Sequence, residues 1–481
     1  MPRSRARLMA VVALALLNVL IIAAGSVLAW QLPARLARWK IPVVASRPLI
    51  RPAALLDGSG AGRSPTRAGL SARLSGLLAT AALGSHVTAV VGDPASGQVL
   101  FSRQGGSPAT PASTAKLATA VAALDVLGPG ARFTTRVVED TAAGQAAAHG
   151  PARIILVGGG DPTLAAARAP GSEYPRPATL AALAAATARA LAKQHRAAAR
   201  IGYDTSLYSG PPMAPGWSPS YVTSGNVTPI TALEVDQGRL LRSGEPQDAD
   251  DPDNLRPRSL TPAADAAAAF ARFLARDGIR VAGPATPAGV PRAATRVAAV
   301  RSPPLAAIVE QMLTESNNVI AENLARQVAI ATGRPATFQG AAAAVTAALR
   351  RLGIGTPIQL VDGSGLSPQD GIAPATLVRT LEAAISRPRL RPALASLPVA
   401  GFSGTLAGGE SVFAGIGGSA LGTVRAKTGN LGSVATLAGL VYDKDGTLLA
   451  FAFMADKVTN LDQAATAIDA AASSLASCGC R

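Results

Sequence analysis

Ser113-Thr114-Ala115-Lys116, Ser316-Asn317-Asn318 and Lys427-Thr428-Gly429 follow one another along this chain. The order decides how the rest is read. The chain has six lysines (Lys40, Lys116, Lys193, Lys427, Lys444, Lys457), and only Lys116 has a serine three residues before it. Average serine usage of roughly 7% gives about 0.4 accidental S-x-x-K matches for so few lysines, and K-T-G is expected about 0.05 times. S-x-N is weak alone, since Ser224-Gly225-Asn226 is a second match. That rival sits in a Pro/Gly-rich stretch without a helical flank and is set aside. Singly, each motif has a plainer reading: a helix-start serine, a helix-breaking loop, a strand-end turn with a solvated lysine. In this order they form one constellation.

Ser113 follows Pro108, Pro111 and Ala112 at the mouth of a helical stretch, Thr114–Leu127. A helix N-terminus stabilises negative charge, and Lys116 lies one turn on, on the same face. A serine hydroxyl needs a base, and a lysine desolvated in a pocket can be neutral enough to take its proton. Ser316 joins two helical stretches, the second read as amphipathic over 319–330, and can relay a proton to a leaving amine, while the Asn318 amide can bind a substrate carbonyl. Lys427, Thr428 and Gly429 are read as ending a strand over 422–426 at a sheet edge. Lys427 offers a fixed positive charge, Thr428 a hydroxyl and Gly429 a close backbone approach. The N–H groups of Asn430 and Ser113 would make an oxyanion hole.

Other chemistries fit less well. His86, His149 and His195 are the only histidines, no serine has G-x-S-x-G context, and no H-x-x-x-H spacing suggests zinc. Gly158-Gly159-Gly160-Asp161-Pro162-Thr163 follows a strand but lacks G-x-x-x-x-G-K, which excludes a phosphate loop. Neither a metal nor a cofactor is expected. Cys478-Gly479-Cys480 reads either as a small disulfide or as two thiols.

The chain has 481 residues and a formal net charge of +16. That length gives ample core for two or three domains. The basic residues are mostly arginines scattered among Ala, Gly and Pro, and aromatics are 4%, so nucleic-acid binding is excluded. Arg3, Arg5 and Arg7 precede an uncharged run from Leu8 to Pro33. Such a run can span a bilayer, which predicts an uncleaved signal-anchor helix over 1–30 with the remainder extracytoplasmic. The alternative is a secreted protein after cleavage near Val27-Leu28-Ala29. Residues 31–68 read as a flexible linker.

Beyond it, His86–Val91 and Val99–Phe101 predict a hairpin, and segments 434–442 and 448–455 predict two further strands before a helix over 461–475. Strands from both ends imply an α+β domain, an antiparallel sheet flanked by helices. The wide gap between Lys116 and Ser316 holds an inserted domain. The predicted limits are 69–130 and 298–477 for the two parts of the main domain and 131–297 for the insertion.

With these residues in place, the chain resembles the D-alanyl-D-alanine carboxypeptidase/endopeptidase family of class C low-molecular-mass penicillin-binding proteins, the S13 or type-4 group. S-x-x-K, S-x-N and K-T-G are its active-site elements. The resemblance also rests on Gly158–Leu164, Asp362-Gly363-Ser364-Gly365-Leu366-Ser367 and Leu397–Gly401 with Gly404-Thr405-Leu406. It covers about Leu70 to Leu475 and implies a transpeptidase/β-lactamase-like domain split by an insertion. It further implies serine acylation on peptidoglycan stem peptides, with β-lactams as covalent inhibitors. In this group Ser113 is the nucleophile, Lys116 its base and Ser316 the relay, while Asn318, Lys427 and Thr428 bind substrate. Asn430 stands where the group usually has Thr or Ser, which leaves a side-chain contact to the substrate carboxylate open. Two other readings share the fold: a serine β-lactamase, and a non-hydrolytic wall-binding or scaffolding protein.

Overall fold

The segment from Leu448 to Ala455 (β13) is apolar at every position, and its side chains alternate between two separate cores. Leu448, Ala450, Ala452 and Met454 enter one; Leu449, Phe451, Phe453 and Ala455 enter the other. A strand buried on both faces reads as a continuous apolar run, which is why this stretch is legible without a polar partner face. It is the middle of a five-stranded antiparallel sheet, order β11-β12-β13-β1-β2, with β1 Val87–Asp93, β2 Gln98–Arg103, β11 Arg425–Leu431 and β12 Val434–Tyr442. The computed structural model describes residues 62–140, 150–168, 175–240, 256–355, 357–407, 413 and 419–481.

One face of the sheet is covered by the C-terminal helix Leu461–Ala476 (α9), through Ala464, Ile468, Ala471, Ala472 and Leu475. Helix α1 (Arg67–Leu74) joins that core through Leu70 and Leu74. The other face carries α2 (Lys116–Leu127), α5 (Leu305–Thr314), α6 (Asn318–Ala331), α7 (Phe338–Arg351) and α8 (Pro374–Ser386). The α+β expectation of an antiparallel sheet flanked by helices holds.

Between α2 and α5 lies a second sheet of strands β3 Thr134–Glu139, β4 Ala152–Val157, β5 Ala198–Asp204, β6 Arg280–Val281 and β8 Thr295–Arg301, with β7 Thr286–Pro287 paired to β5. Here β4–β5 and β5–β6 run parallel, so a crossover helix must join each pair, and α3 (Leu180–Lys193) and α4 (Pro262–Arg276) supply them. Their faces meet the sheet through Leu183, Leu191, Phe270 and Leu274. Strand β8 pairs with β3, so the second sheet continues to Arg301, beyond the expected limit at 297.

At the front of the chain, the described end of the expected linker 31–68 is tied to the main domain. Thr66 caps α1 through Gly69 N–H, its own N–H donates to the Cys480 carbonyl at 2.8 Å, and Ser64 donates to Asp93. Residues 31–61 of the expected linker, the expected anchor over 1–30 and His149 lie outside the described residues. Among the described residues no helix is long and apolar enough to cross a membrane. Cys478 and Cys480 are paired with each other, in line with the disulfide reading.

Candidate active site

The chain enters the site through a strained turn. Pro111 leads into Ala112 at φ +45°, then one 3-10 turn, Ala112–Ala115, hands over to α2 at Lys116. A non-glycine residue in the left-handed region is uncommon, and such outliers gather at functional sites. Ser316, between α5 and α6, is a second one at φ +58°. The helix expected from Thr114 therefore starts later, and this tightened turn sets Ser113 beside its lysine.

Lys116 is fully buried, and its Nζ donates to Ser113 Oγ at 2.8 Å, Asn318 Oδ1 at 2.6 Å and the Ser364 carbonyl at 2.9 Å. Three acceptors use all three ammonium donors and fix the nitrogen against the serine. Burial pushes the Lys116 ammonium down to about 7, with the carboxylates of Asp362 and Glu322 offsetting part of that cost. Of the residues read from the sequence, Ser113, Lys116 and Asn318 are thus joined directly. The Asn318 amide nitrogen donates to the Asn226 carbonyl at 2.9 Å. The set-aside Ser224-Gly225-Asn226 segment therefore reaches the site through its backbone.

K-T-G lies inside β11, at the sheet edge, and does not end it: the strand begins at Arg425, later than the expected 422, and runs to Leu431. The reason is Gly429. A Cβ there would sit 2.2 Å from Thr436 Oγ1, 2.7 Å from the Pro111 carbonyl and 3.0 Å from the Ser113 nitrogen. The strand lies flat on the nucleophile's turn, and Thr436 Oγ1 ties the two by donating to the Pro111 carbonyl at 2.8 Å. Gly429→Ala is expected to lift the strand off that turn and lower the acylation rate by about 100-fold, since misplacing reacting groups by an ångström costs that much. Stopped-flow labelling with a penicillin, alongside a thermal melt, checks it.

Lys427 is fully buried and donates to the Thr428 carbonyl at 3.0 Å. Burial, and then the neighbouring Lys116, depress its ammonium well below the ordinary lysine range. The expected permanently fixed charge at Lys427 thus needs a nearby anion to stabilise it. Thr428 Oγ1 lies 2.9 Å from Thr405 Oγ1, and the Asn430 side chain is exposed at the end of the strand.

Sequence reasoning missed a supporting layer. The Asp362 carboxylate accepts from the N–H groups of Ser364 at 3.0 Å, Gly365 at 2.6 Å and Ser367 at 2.7 Å, and from Trp217 Nε1 at 2.7 Å. Both Glu322 oxygens accept from Gly363 N–H, at 3.1 and 3.0 Å. Helix α6, expected to be amphipathic, is buried on every side from Val319 to Ala329. Beside Glu322, two of its polar residues face the insertion: Asn323 meets Tyr208 and Glu234, and Gln327 donates to the Gly159 carbonyl at 2.9 Å. The glycine run 158–160 is where that contact is made. A Cβ on Gly160 would lie 2.2 Å from Gln327 Nε2, so packing, and no phosphate, explains the run. The available signal was the polar spacing Asn318, Glu322, Arg326 and Asn323, Gln327 on one helix.

A serine held by a buried lysine at a helix mouth, with a K-T-G edge strand lying across it, defines a serine acyl-transfer enzyme of the penicillin-binding class. The sequence pattern of the D-Ala-D-Ala carboxypeptidase 3 (S13) family matches residues 70–259 and 243–477, and the chain belongs to that family of serine peptidases. A carboxypeptidase DacB of Mycolicibacterium smegmatis is 39% identical over 424 residues, covering 87% of this chain and 86% of the relative. A carboxypeptidase of Mycobacterium tuberculosis is 37% identical over 446 residues, covering 92% and 91%. Among solved structures, penicillin-binding protein 4 (DacB) of Haemophilus influenzae matches with a TM-score of 0.67 at 23% identity, covering 83% of this chain and 98% of that one. The same protein has been solved with a β-lactam bound. The expected S13 membership and D-alanyl-D-alanine carboxypeptidase activity are met.

Proposed function

We propose that this enzyme cleaves the terminal D-alanine of peptidoglycan stem peptides through an acyl-enzyme at Ser113, and that β-lactams trap the same intermediate. The observation that carries the assignment of roles is the 2.8 Å contact between Lys116 Nζ and Ser113 Oγ at a lysine brought down to about 7. Neutral Lys116 takes the hydroxyl proton as Ser113 Oγ attacks the carbonyl carbon of the penultimate residue. The N–H groups of Ser113 and Asn430 hold the oxyanion. Ser316 relays a proton to the departing amine of D-alanine, and water then releases the shortened peptide. A substrate carboxylate beside Lys427 restores its charge, with Thr428 donating to the same group, while Asn318 binds the peptide carbonyl. Gly429 permits the approach.

The β-lactamase reading needs a carboxylate free to activate a deacylating water. Glu322 is committed with both oxygens to Gly363 N–H, and Glu315 lies within 3.5 Å of both Gln311 Nε2 and Asn317 Nδ2. Both are held by protein donors, which favours a long-lived adduct. A scaffolding role gives no reason for a buried lysine aimed at a serine.

We further propose that the apolar run before residue 33 anchors the protein, or exports it, with the catalytic part outside the cytoplasm. The Cys478–Cys480 pairing fits an oxidising compartment. The test incubates full-length protein with a D-Ala-D-Ala pentapeptide and a fluorescent penicillin. Release of D-alanine with a slowly decaying adduct is expected. Rapid turnover of the penicillin would favour the lactamase, and neither product would sink the enzymatic reading.

A further inference from the structure

The loop that follows α7 grips the nucleophile's turn from behind. Ser364 offers its carbonyl to Lys116 Nζ, and Gly363 offers its own to Thr119 Oγ1 at 2.6 Å, one turn further along α2. Gly365, at φ +83°, comes so close to the Ala112 carbonyl that a Cβ would lie 1.8 Å from it. The loop therefore touches α2 and its entry turn at three points, and its shape decides where Lys116 is held.

That shape is organised around one carboxylate. Asp362 is fully buried, and three of the four N–H groups that donate to it are the loop's own; the Asp370 carboxyl, pushed up to about 9 by burial and then by Asp362, is hydrogen-bonded to it as well. The fourth, Trp217 Nε1, comes from the insertion, 145 residues earlier in the chain. The indole is fixed in turn by edge-on packing against Phe338 at 5.2 Å between ring centroids. A second tether lies beside it, Ser367 Oγ donating to the Pro215 carbonyl at 3.0 Å. A carboxylate in a low-dielectric site is expensive unless its lone pairs are met, so the fourth donor matters.

The geometry points to Trp217 as a positioning residue: through its hydrogen bond to Asp362, the inserted domain holds the 362–367 loop and so aims Lys116 at Ser113. This deepens the proposed acylation mechanism and rests on it. The insertion is then part of the catalytic apparatus. The charged and titratable groups around this link are Lys116 on α2, Glu322 on α6, Lys427 on β11, Asp370 at the end of the loop and Tyr221 from the insertion. Asp362 and Glu322 are the two that favour charge on Lys116. If the loop slackens, the Asp362 field at Lys116 weakens, and the lysine gives up its proton at lower pH.

Trp217→Phe keeps a ring against Phe338 and removes only the N–H. The measurement is the second-order rate of acylation by a fluorescent penicillin in the full-length protein, from pH 5.5 to 9, with wild type in parallel. Trp217→Phe is expected to lower the rate about tenfold on the plateau and to move the acidic limb down by about half a pH unit. Phe338→Leu, which loosens the packing but leaves the N–H in place, should lower the melting temperature without moving the limb. Ser367→Ala should move the limb in the same direction by less, and keeps the test open if Trp217→Phe does not fold. A wild-type limb in Trp217→Phe or, failing its folding, in Ser367→Ala overturns the inference, as does an equal shift in Phe338→Leu. If wild type itself forms no adduct, it is the acyl-enzyme reading that has failed.

Discussion

Ser113→Ala is expected to abolish the covalent penicillin adduct and to lower D-alanine release by about 10⁶-fold, the scale seen when a serine nucleophile is removed. The fold should survive the change. Lys116 loses one of its three acceptors, but Asn318 Oδ1 at 2.6 Å and the Ser364 carbonyl at 2.9 Å remain. The Pro111–Thr436 tie and the close seat of Gly429 do not involve the hydroxyl. Noncovalent binding of a pentapeptide, through Lys427, Thr428 and Asn318, should therefore persist within about tenfold. Mass spectrometry of the intact protein after penicillin exposure reads the first effect, and equilibrium binding reads the second. An adduct of unchanged mass and yield in the variant would move the nucleophile elsewhere.

The middle of the main sheet was legible because β1, β12 and β13 bury both faces. The observed bounds of β12 and β13 are those the apolar runs 434–442 and 448–455 suggest. β11 was misjudged because Gly429-Asn430 looks like a break, whereas the glycine is there to let the strand lie on Ser113. Helix α6 was misjudged for a related reason. A polar stripe on a helix reads as a wet face, yet Asn323, Arg326 and Gln327 are buried against the insertion. Periodicity separates polar from apolar but does not say which polar face another domain will cover. The motifs themselves were readable as chemistry, since S-x-x-K, S-x-N and K-T-G each place a reactive group on a short local frame. Their support was not, because Trp217 and Asp362, or Asn226 and Asn318, meet only through tertiary structure.

That distinction bears on what the insertion is for. A module added between Lys116 and Ser316 could in principle hang off the main sheet and leave the chemistry alone. Here its backbone at Asn226 meets Asn318, its Trp217 meets Asp362, and Arg258 braces the Gly225 and Gln237 carbonyls at 2.9 and 3.0 Å. Gln237 in turn accepts from Asn317 Nδ2 at 2.7 Å, within the S-x-N motif. The long gap in the sequence is thus filled by a body that supports two of the three motifs.

Lys116→Arg separates charge from basicity and is the second large effect expected. Guanidinium stays protonated throughout the accessible range, so it can hydrogen-bond Ser113 but never accept its proton. Acylation should fall by about 10³-fold or more and should not recover at pH 9. In wild type the sign runs the other way. Below about 7 the Lys116 amine is protonated and cannot act as base; above it, the neutral form predominates and the acylation rate climbs to a plateau. The acidic limb of the second-order rate against pH thus reports the lysine in the free enzyme. Burial, the first cause of the shift, predicts that limb near neutrality, far below the ordinary lysine range near 10.5. A limb that persists unchanged in Lys116→Arg would assign it to another group, and acylation of that variant within tenfold of wild type would remove Lys116 from the role of base. A melting curve run beside the kinetics shows whether the larger side chain is accommodated where Asn318, Ser364 and Ser113 now hold the ammonium.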